Sequence, residues 1–151
     1  WDFAYCLGNS ICLLPTLESV KATFAAIHRH LNPGGKFLIQ VLNYSASKNQ
    51  QPRHRVDKKQ IIDREVMAVK SLVPCGDTTL LSLAFFSMSD PPKAEVAESA
   101  VLLHLSYETI HSMGEAVGFQ VTAPYGAFSQ ASYDAQSSAD LICVFTKGET
   151  R

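Results

Sequence analysis

The sequence predicts an α/β fold: a sheet of about four core strands, mostly parallel, extended by an antiparallel β-meander and flanked by helices. Three observations predict it. A strand–helix–strand unit fills the first 42 residues, three strand-like stretches with short turns occupy about 61–105, and a helix followed by two strands closes the chain. The 151 residues are 46% hydrophobic and 18% charged, the composition of a folded globular chain rather than a disordered one. A single domain, 1–151, is expected, with the meander as an insertion.

The apolar run at 3–7 ends in Gly8-Asn9-Ser10 and reads as a short strand buried on both faces. Thr16 stands at a helix N-cap position, and Glu18 favours the positive end of the helix dipole. Leu17, Val20, Phe24, Ile27 and Leu31 recur every three or four residues and form one apolar stripe. His28, Arg29 and His30 fill the last turn, where positive charge suits the free carbonyls. Asn32-Pro33-Gly34-Gly35 stops the helix. The run KFLIQVL at 36–42 is the next strand, expected parallel to the first through a right-handed crossover.

Residues 43–59 are polar and read as a loop. Strands are expected at about 61–72, 78–88 and 96–105, with turns at Cys75-Gly76-Asp77 and Asp90-Pro91-Pro92-Lys93. Leu80-Leu81 and Phe85-Phe86 put apolar groups on both faces of this meander. Ser106 then caps a helix whose stripe is Ile110, Met113 and Val117, with Glu108 in its first turn and Gly118 at its end. Gly114 inside that helix costs about 1 kcal/mol relative to Ala. A strand at 119–125, a polar loop at 129–138 and a final apolar strand at 141–146 complete the pattern.

The formal net charge of -1 gives no global attraction to nucleic acid or anionic lipid. A locally basic stretch, Lys48, Arg53, His54, Arg55, Lys58, Lys59 and Arg64, is broken by Asp57 and Asp63; it reads as a solvated loop, with an anionic substrate or nucleic acid as the alternatives. Cys6, Cys12, Cys75 and Cys143 form no CxxC pair and read as reduced core residues of a cytoplasmic protein. His28 and His30 point in different directions on one helix and His54, His104 and His111 have no ligand-spaced partner, so no metal site is expected. No apolar run approaches the length of a membrane span. The chain opens on Trp1 inside a strand, so a cut before it is expected.

At this point five local words in order resemble the second half of the class I S-adenosylmethionine-dependent methyltransferases, in the branch of the glycine N-methyltransferase-like enzymes. Trp1-Asp2-Phe3-Ala4-Tyr5-Cys6-Leu7-Gly8-Asn9-Ser10 resembles the family's fourth strand and the turn after it. Leu31-Asn32-Pro33-Gly34-Gly35-Lys36-Phe37-Leu38-Ile39 is similar to the L-x-P-G-G-x-hydrophobic approach to the fifth, and Asn43-Tyr44 follows it. Leu105-Ser106-Tyr107-Glu108 through Glu115-Ala116-Val117-Gly118-Phe119 resembles the last helix and the start of the sixth strand; Asp140-Leu141-Ile142-Cys143-Val144-Phe145 resembles the seventh.

The resemblance implies a partial Rossmann-like methyltransferase sheet. It implies that Leu7, Gly8, Asn9 and Ser10 contact S-adenosylmethionine and that Asn43 and Tyr44 line the pocket of a small-molecule substrate. Leu13 stands where the branch often carries a histidine, a departure from an amino-acid-type acceptor. The family holds its cofactor on a Gly-rich turn after the first strand, where backbone N–H groups and a helix N-terminus approach the ligand. This sequence has no Gly-x-Gly, and Gly34-Gly35 precedes a strand. An inactive fragment that binds no cofactor alone is therefore expected. Two rival readings stay open: a non-catalytic truncated module that self-associates, and an unrelated α/β ligand-binding domain. The apolar first strand would lie at a sheet edge, so a homodimer or a missing N-terminal half is the expected partner.

Overall fold

The computed structural model describes residues 1–148. They form β1 (Phe3–Cys6), α1 (Leu17–His30), β2 (Lys36–Leu42), β3 (Arg53–Ile61), β4 (Arg64–Cys75), β5 (Thr78–Ser87), β6 (Lys93–Leu103), α2 (Tyr107–Ala116), β7 (Phe119–Val121) and β8 (Asp140–Lys147). The chain divides into two compact units, one of residues 1–50 with 103 onward and the other of residues 51–102.

The first unit holds a four-stranded sheet ordered β1-β2-β8-β7. The strand count matches the expectation, and three of the four strands, β1, β2 and β7, run in one direction while β8 runs against them. β1 and β2 pair in parallel through the α1 crossover, whereas β8 pairs antiparallel with both β2 and β7. The cause is the connection after β7: it returns as a long hairpin rather than a helical crossover, and a hairpin makes neighbours antiparallel. β7 is also shorter than expected, and Tyr125 makes only isolated bridges to Ser132 and Ile142.

The core lies between this sheet and its two helices. Phe24 of α1 meets Phe37 and Phe145 edge-on, at centroid distances of 5.5 and 5.3 Å, the geometry that ring quadrupoles favour. α2 approaches the same ring. A Cβ on Gly114 would come within 2.6 Å of Phe145 Cδ1, so the glycine that costs helix propensity gives the space Phe145 fills. Thr16 caps α1 by accepting the Ser19 N–H (3.1 Å), and Ser106 caps α2 by accepting the Thr109 N–H (3.2 Å). Val20, Phe24 and Leu31 are buried, but Leu17, the first helical residue, is 45% exposed. On the sheet's other face Phe3 and Tyr5 are 54% and 67% exposed.

His28, Arg29 and His30 stand in the last turn of α1 as expected, and Lys147 adds a further cation there, its Nζ donating to the carbonyls of His28 and Leu31, both at 2.8 Å. Burial and the Lys147 charge push the His28 pKa down, only partly offset by a Gly118 backbone hydrogen bond.

The second unit is an antiparallel sheet ordered β3-β4-β5-β6. The expected loop at 43–59 is overturned in its second half, where β3 begins at Arg53 and pairs with β4 over nine positions from Arg53↔Leu72 to Ile61↔Arg64. β3 is an edge strand exposed nearly throughout, so it carries no apolar period to read. The expected strand at 61–72 is likewise split by a two-residue turn at Ile62 and Asp63. Ile62 has φ 56°, in a region where hairpins ordinarily place glycine or asparagine.

Candidate functional site

Ligands of open α/β sheets bind outside the carboxyl ends of parallel strands. Here those ends belong to β1 and β2, and the structure brings both sequence-predicted groups there. In the turn after β1, Gly8 and Asn9 have φ of 67° and 66°. Gly8 N–H donates to Gln40 Oε1 at 2.6 Å, and Asn9 N–H to the Gln40 carbonyl at 3.4 Å. Asn9 Oδ1 accepts the Leu42 N–H at 2.6 Å, and Ser10 Oγ donates to the Leu7 carbonyl at 2.7 Å. Gln40 also donates to Asp140 Oδ1 at 2.8 Å. The turn is thus stapled to β2, with its polar side chains engaged within the protein. Its outward surface is open: a Cβ on Gly8 would meet nothing within 4 Å, and Leu7 is exposed.

Asn43, buried at the end of β2, is a hub. Its Nδ2 donates to the carbonyls of Asp134 (3.3 Å), Ala135 (2.9 Å) and Ser138 (3.0 Å). Its Oδ1 accepts from the Ser45 N–H (3.2 Å) and from Tyr133 Oη (3.0 Å). Its carbonyl accepts from Asn49 Nδ2 at 2.8 Å. The pinned loop is itself ordered by Asp134, whose Oδ1 accepts from Gln136 N–H and from both the N–H and Oγ of Ser137. Those donors, the Ser137 hydroxyl first, hold the Asp134 carboxyl below its ordinary range.

Tyr44 is buried and stacks on His104 with centroids 4.1 Å apart, and the Cys12 thiol is buried as well. Burial pushes that thiol up to about 12. It is therefore no nucleophile at neutral pH. Tyr107, on the first turn of α2, has His111 at 5.3 Å and Tyr133 at 6.3 Å, so half-buried aromatic rings collect at this same end of the sheet. Desolvation raises both tyrosine hydroxyls above their ordinary pKa.

Gln40, His104, Tyr107 and Tyr133 escaped the sequence reading. Gln40 left a signal: it is the one polar residue inside KFLIQVL, and a polar group in a buried strand demands a partner. No set of three or more His, Cys, Asp or Glu that could hold a metal occurs among the described residues. No helix among them is long and apolar enough to cross a membrane.

No protein-family model matches the chain, and no curated protein does. Solved structures do. An S-adenosylmethionine-dependent methyltransferase from Clostridium acetobutylicum is 16% identical with a TM-score of 0.76, over 98% of this chain and 58% of its own. The amino pentose methyltransferase CalS10 from Micromonospora echinaspora, solved with S-adenosylmethionine bound, is 17% identical with a TM-score of 0.74, over 97% of this chain and 58% of its own. The sugar N-methyltransferase KedS8 from a Streptoalloteichus species is 16% identical with a TM-score of 0.77, over 99% of this chain and 57% of its own. The chain has the fold of part of these proteins and spans somewhat more than half their length.

Proposed function

We propose that this chain is the C-terminal part of a small-molecule methyltransferase that uses S-adenosylmethionine, and that it is inactive without the polypeptide supplying the donor's Gly-rich turn. One observation carries the reading: nearly the whole chain superposes on methyltransferases while matching only 57–58% of their length. The order of sequence words points to the glycine N-methyltransferase-like branch, and the free cysteines suit a reducing cytoplasm.

In this reading the open outer surface of Leu7, Gly8, Asn9 and Ser10 faces the donor through the main chain. Asn9 and Ser10 hold the turn's shape. Asn43 and Tyr44 form the substrate side of the site. Asn43 is a positioning residue there, because its amide is already fully engaged with the 134–138 loop. Methyl transfer is a displacement in which the acceptor's lone pair attacks the methyl carbon and the sulfonium leaves as a thioether. Holding nucleophile and methyl in line supplies most of the rate effect, so no strong general base is required of these residues.

The experiment is co-expression of the chain with the polypeptide encoded immediately upstream of Trp1, followed by transfer of labelled methyl to a panel of small amines and hydroxyl compounds. Transfer is expected only when both parts are present. A joined protein that folds and binds S-adenosylmethionine but methylates nothing small would overturn the substrate assignment.

A second reading is favoured by the exposure of Phe3 and Tyr5 on an edge strand: the isolated chain covers this surface with a second copy, as a non-catalytic two-fold dimer. Sedimentation at tens of micromolar separates the two, since a clean monomer excludes self-association.

A further inference from the structure

Part of the basic stretch that reads as a solvated loop in sequence forms an ordered row on one face of the antiparallel sheet. Side chains alternate along a strand, so Arg53, Arg55, Asp57 and Lys59 of β3 share a face. The register places Lys70 of β4 directly opposite Arg55, with Leu72, Ala68 and Val66 opposite Arg53, Asp57 and Lys59. On β5, Leu81, Leu83 and Phe85 continue this face as an apolar floor. Two hollows adjoin on it and share Arg55. One, of about 320 Å³, is lined by Arg53, His54, Arg55, Lys70 and Leu72. The other, of about 280 Å³, takes in Asp57, Lys59, Ala68 and Phe85.

Like charges directly opposite on paired strands destabilise a sheet, so Arg55 against Lys70 is a cost, and the neighbouring carboxylate of β3 pairs with Arg55 alone. Arg55 Nε meets Asp57 Oδ2 at 2.7 Å. Arg53, Lys59 and Lys70 form no ion pair among the described residues. On this face five cations, Arg53, Arg55, Lys59, Arg64 and Lys70, stand against Asp57 and the Glu95 that pairs with Arg64, a local charge of +3 in a chain whose net charge is -1. The charge is therefore concentrated here rather than spread as ordinary surface solubility would have it.

We propose that this face binds a small amphiphilic anion: a phosphate monoester on an apolar or aromatic body. The phosphate lies among Arg53, Arg55 and Lys70, where planar guanidinium forks match its oxygens and a lysine adds a point charge. The body lies along Leu72, Ala68 and Phe85. Hollows of this size fit a small molecule. The site lies within residues 51–102 and does not depend on the methyltransferase reading.

The test is calorimetric titration of the full chain with 1-naphthyl phosphate, with inorganic phosphate and 1-naphthol as the two partial probes. The ester is expected to bind at least tenfold tighter than either part and to weaken as salt rises. Lys70→Gln and Arg55→Gln should each weaken it tenfold or more. Lys58→Gln, on the opposite face of β3, should leave it unchanged. Without ligand, Lys70→Gln should keep or raise the Tm, because it removes the like-charge opposition. A ligand role and a structural role then move in opposite directions. Four results would overturn the proposal: an ester that binds no tighter than naphthol, equal weakening by Lys58→Gln, a Tm lowered by Lys70→Gln, or binding to phosphatidylserine vesicles with no response to the free ester.

Discussion

Tyr133 Oη donates a 3.0 Å hydrogen bond to Asn43 Oδ1, and this bond fastens the loop between β7 and β8 to the carboxyl end of β2. The same asparagine amide binds the loop's carbonyls at Ala135 and Ser138. A buried amide with all its capacity used is expensive to remove, because its partners lose their bonds without regaining water. Asn43→Ala is expected to lower stability by about 2–3 kcal/mol and Tyr133→Phe by about 1 kcal/mol. The double variant should fall short of the sum, since the two share a bond. Urea denaturation with a constant m-value checks all three.

Gly114 and Phe145 make a second prediction. Ala normally improves a helix by about 1 kcal/mol over Gly. Here the added methyl would overlap the Phe145 ring. Gly114→Ala should therefore destabilise, by about 1–3 kcal/mol as overpacking does. Combining it with Phe145→Leu should recover part of the loss relative to Phe145→Leu alone. Thermal denaturation of the four proteins decides it.

Alkaline pH should unfold the protein early. Burial pushes the thiols of Cys12 and Cys143 up to about 12, whereas an unfolded cysteine titrates near about 8.5. The folded chain then holds protons that the unfolded chain releases. The stabilisation is complete below about pH 8.5 and is lost as pH climbs towards 12, at about 1.4 kcal/mol per pH unit per thiol. Tyr107 and Tyr133, raised chiefly by desolvation, act in the same direction above about pH 10. A Cys143→Ala variant should show a flatter alkaline limb. An equally steep limb would place the titration elsewhere.

Ile62 is 95% exposed and left-handed at the tip of the β3–β4 hairpin. A β-branched residue there is strained by about 1–2 kcal/mol. Ile62→Asn should raise stability by up to about 1 kcal/mol without altering the sheet, as read by urea titration.

What could be read from sequence was what depends on near neighbours. Thr16 and Ser106 announce their helices because the capped N–H lies three residues away, and the Phe24 stripe needs only the helical repeat. β3 is illegible because its stability comes from its pairing with β4, while RHRVDKKQI shows no buried period. The β3–β4 turn is illegible because Ile62 occupies a position whose usual signal is glycine or asparagine. At the candidate site, the position of Leu7 to Ser10 and of Asn43 and Tyr44 followed from strand ends. The partners of Asn43 did not, since Tyr133 and the 134–138 loop lie some ninety residues along the chain. Nor did the antiparallel course of β8, which depends on how a long connection folds back.

Calorimetric titration of S-adenosylmethionine into this chain decides whether it holds the donor by itself. No binding is expected below about 1 mM, less than about 4 kcal/mol of affinity, because the sequence has no Gly-rich turn to grip the donor. Binding at low micromolar concentration by the chain alone would contradict that expectation.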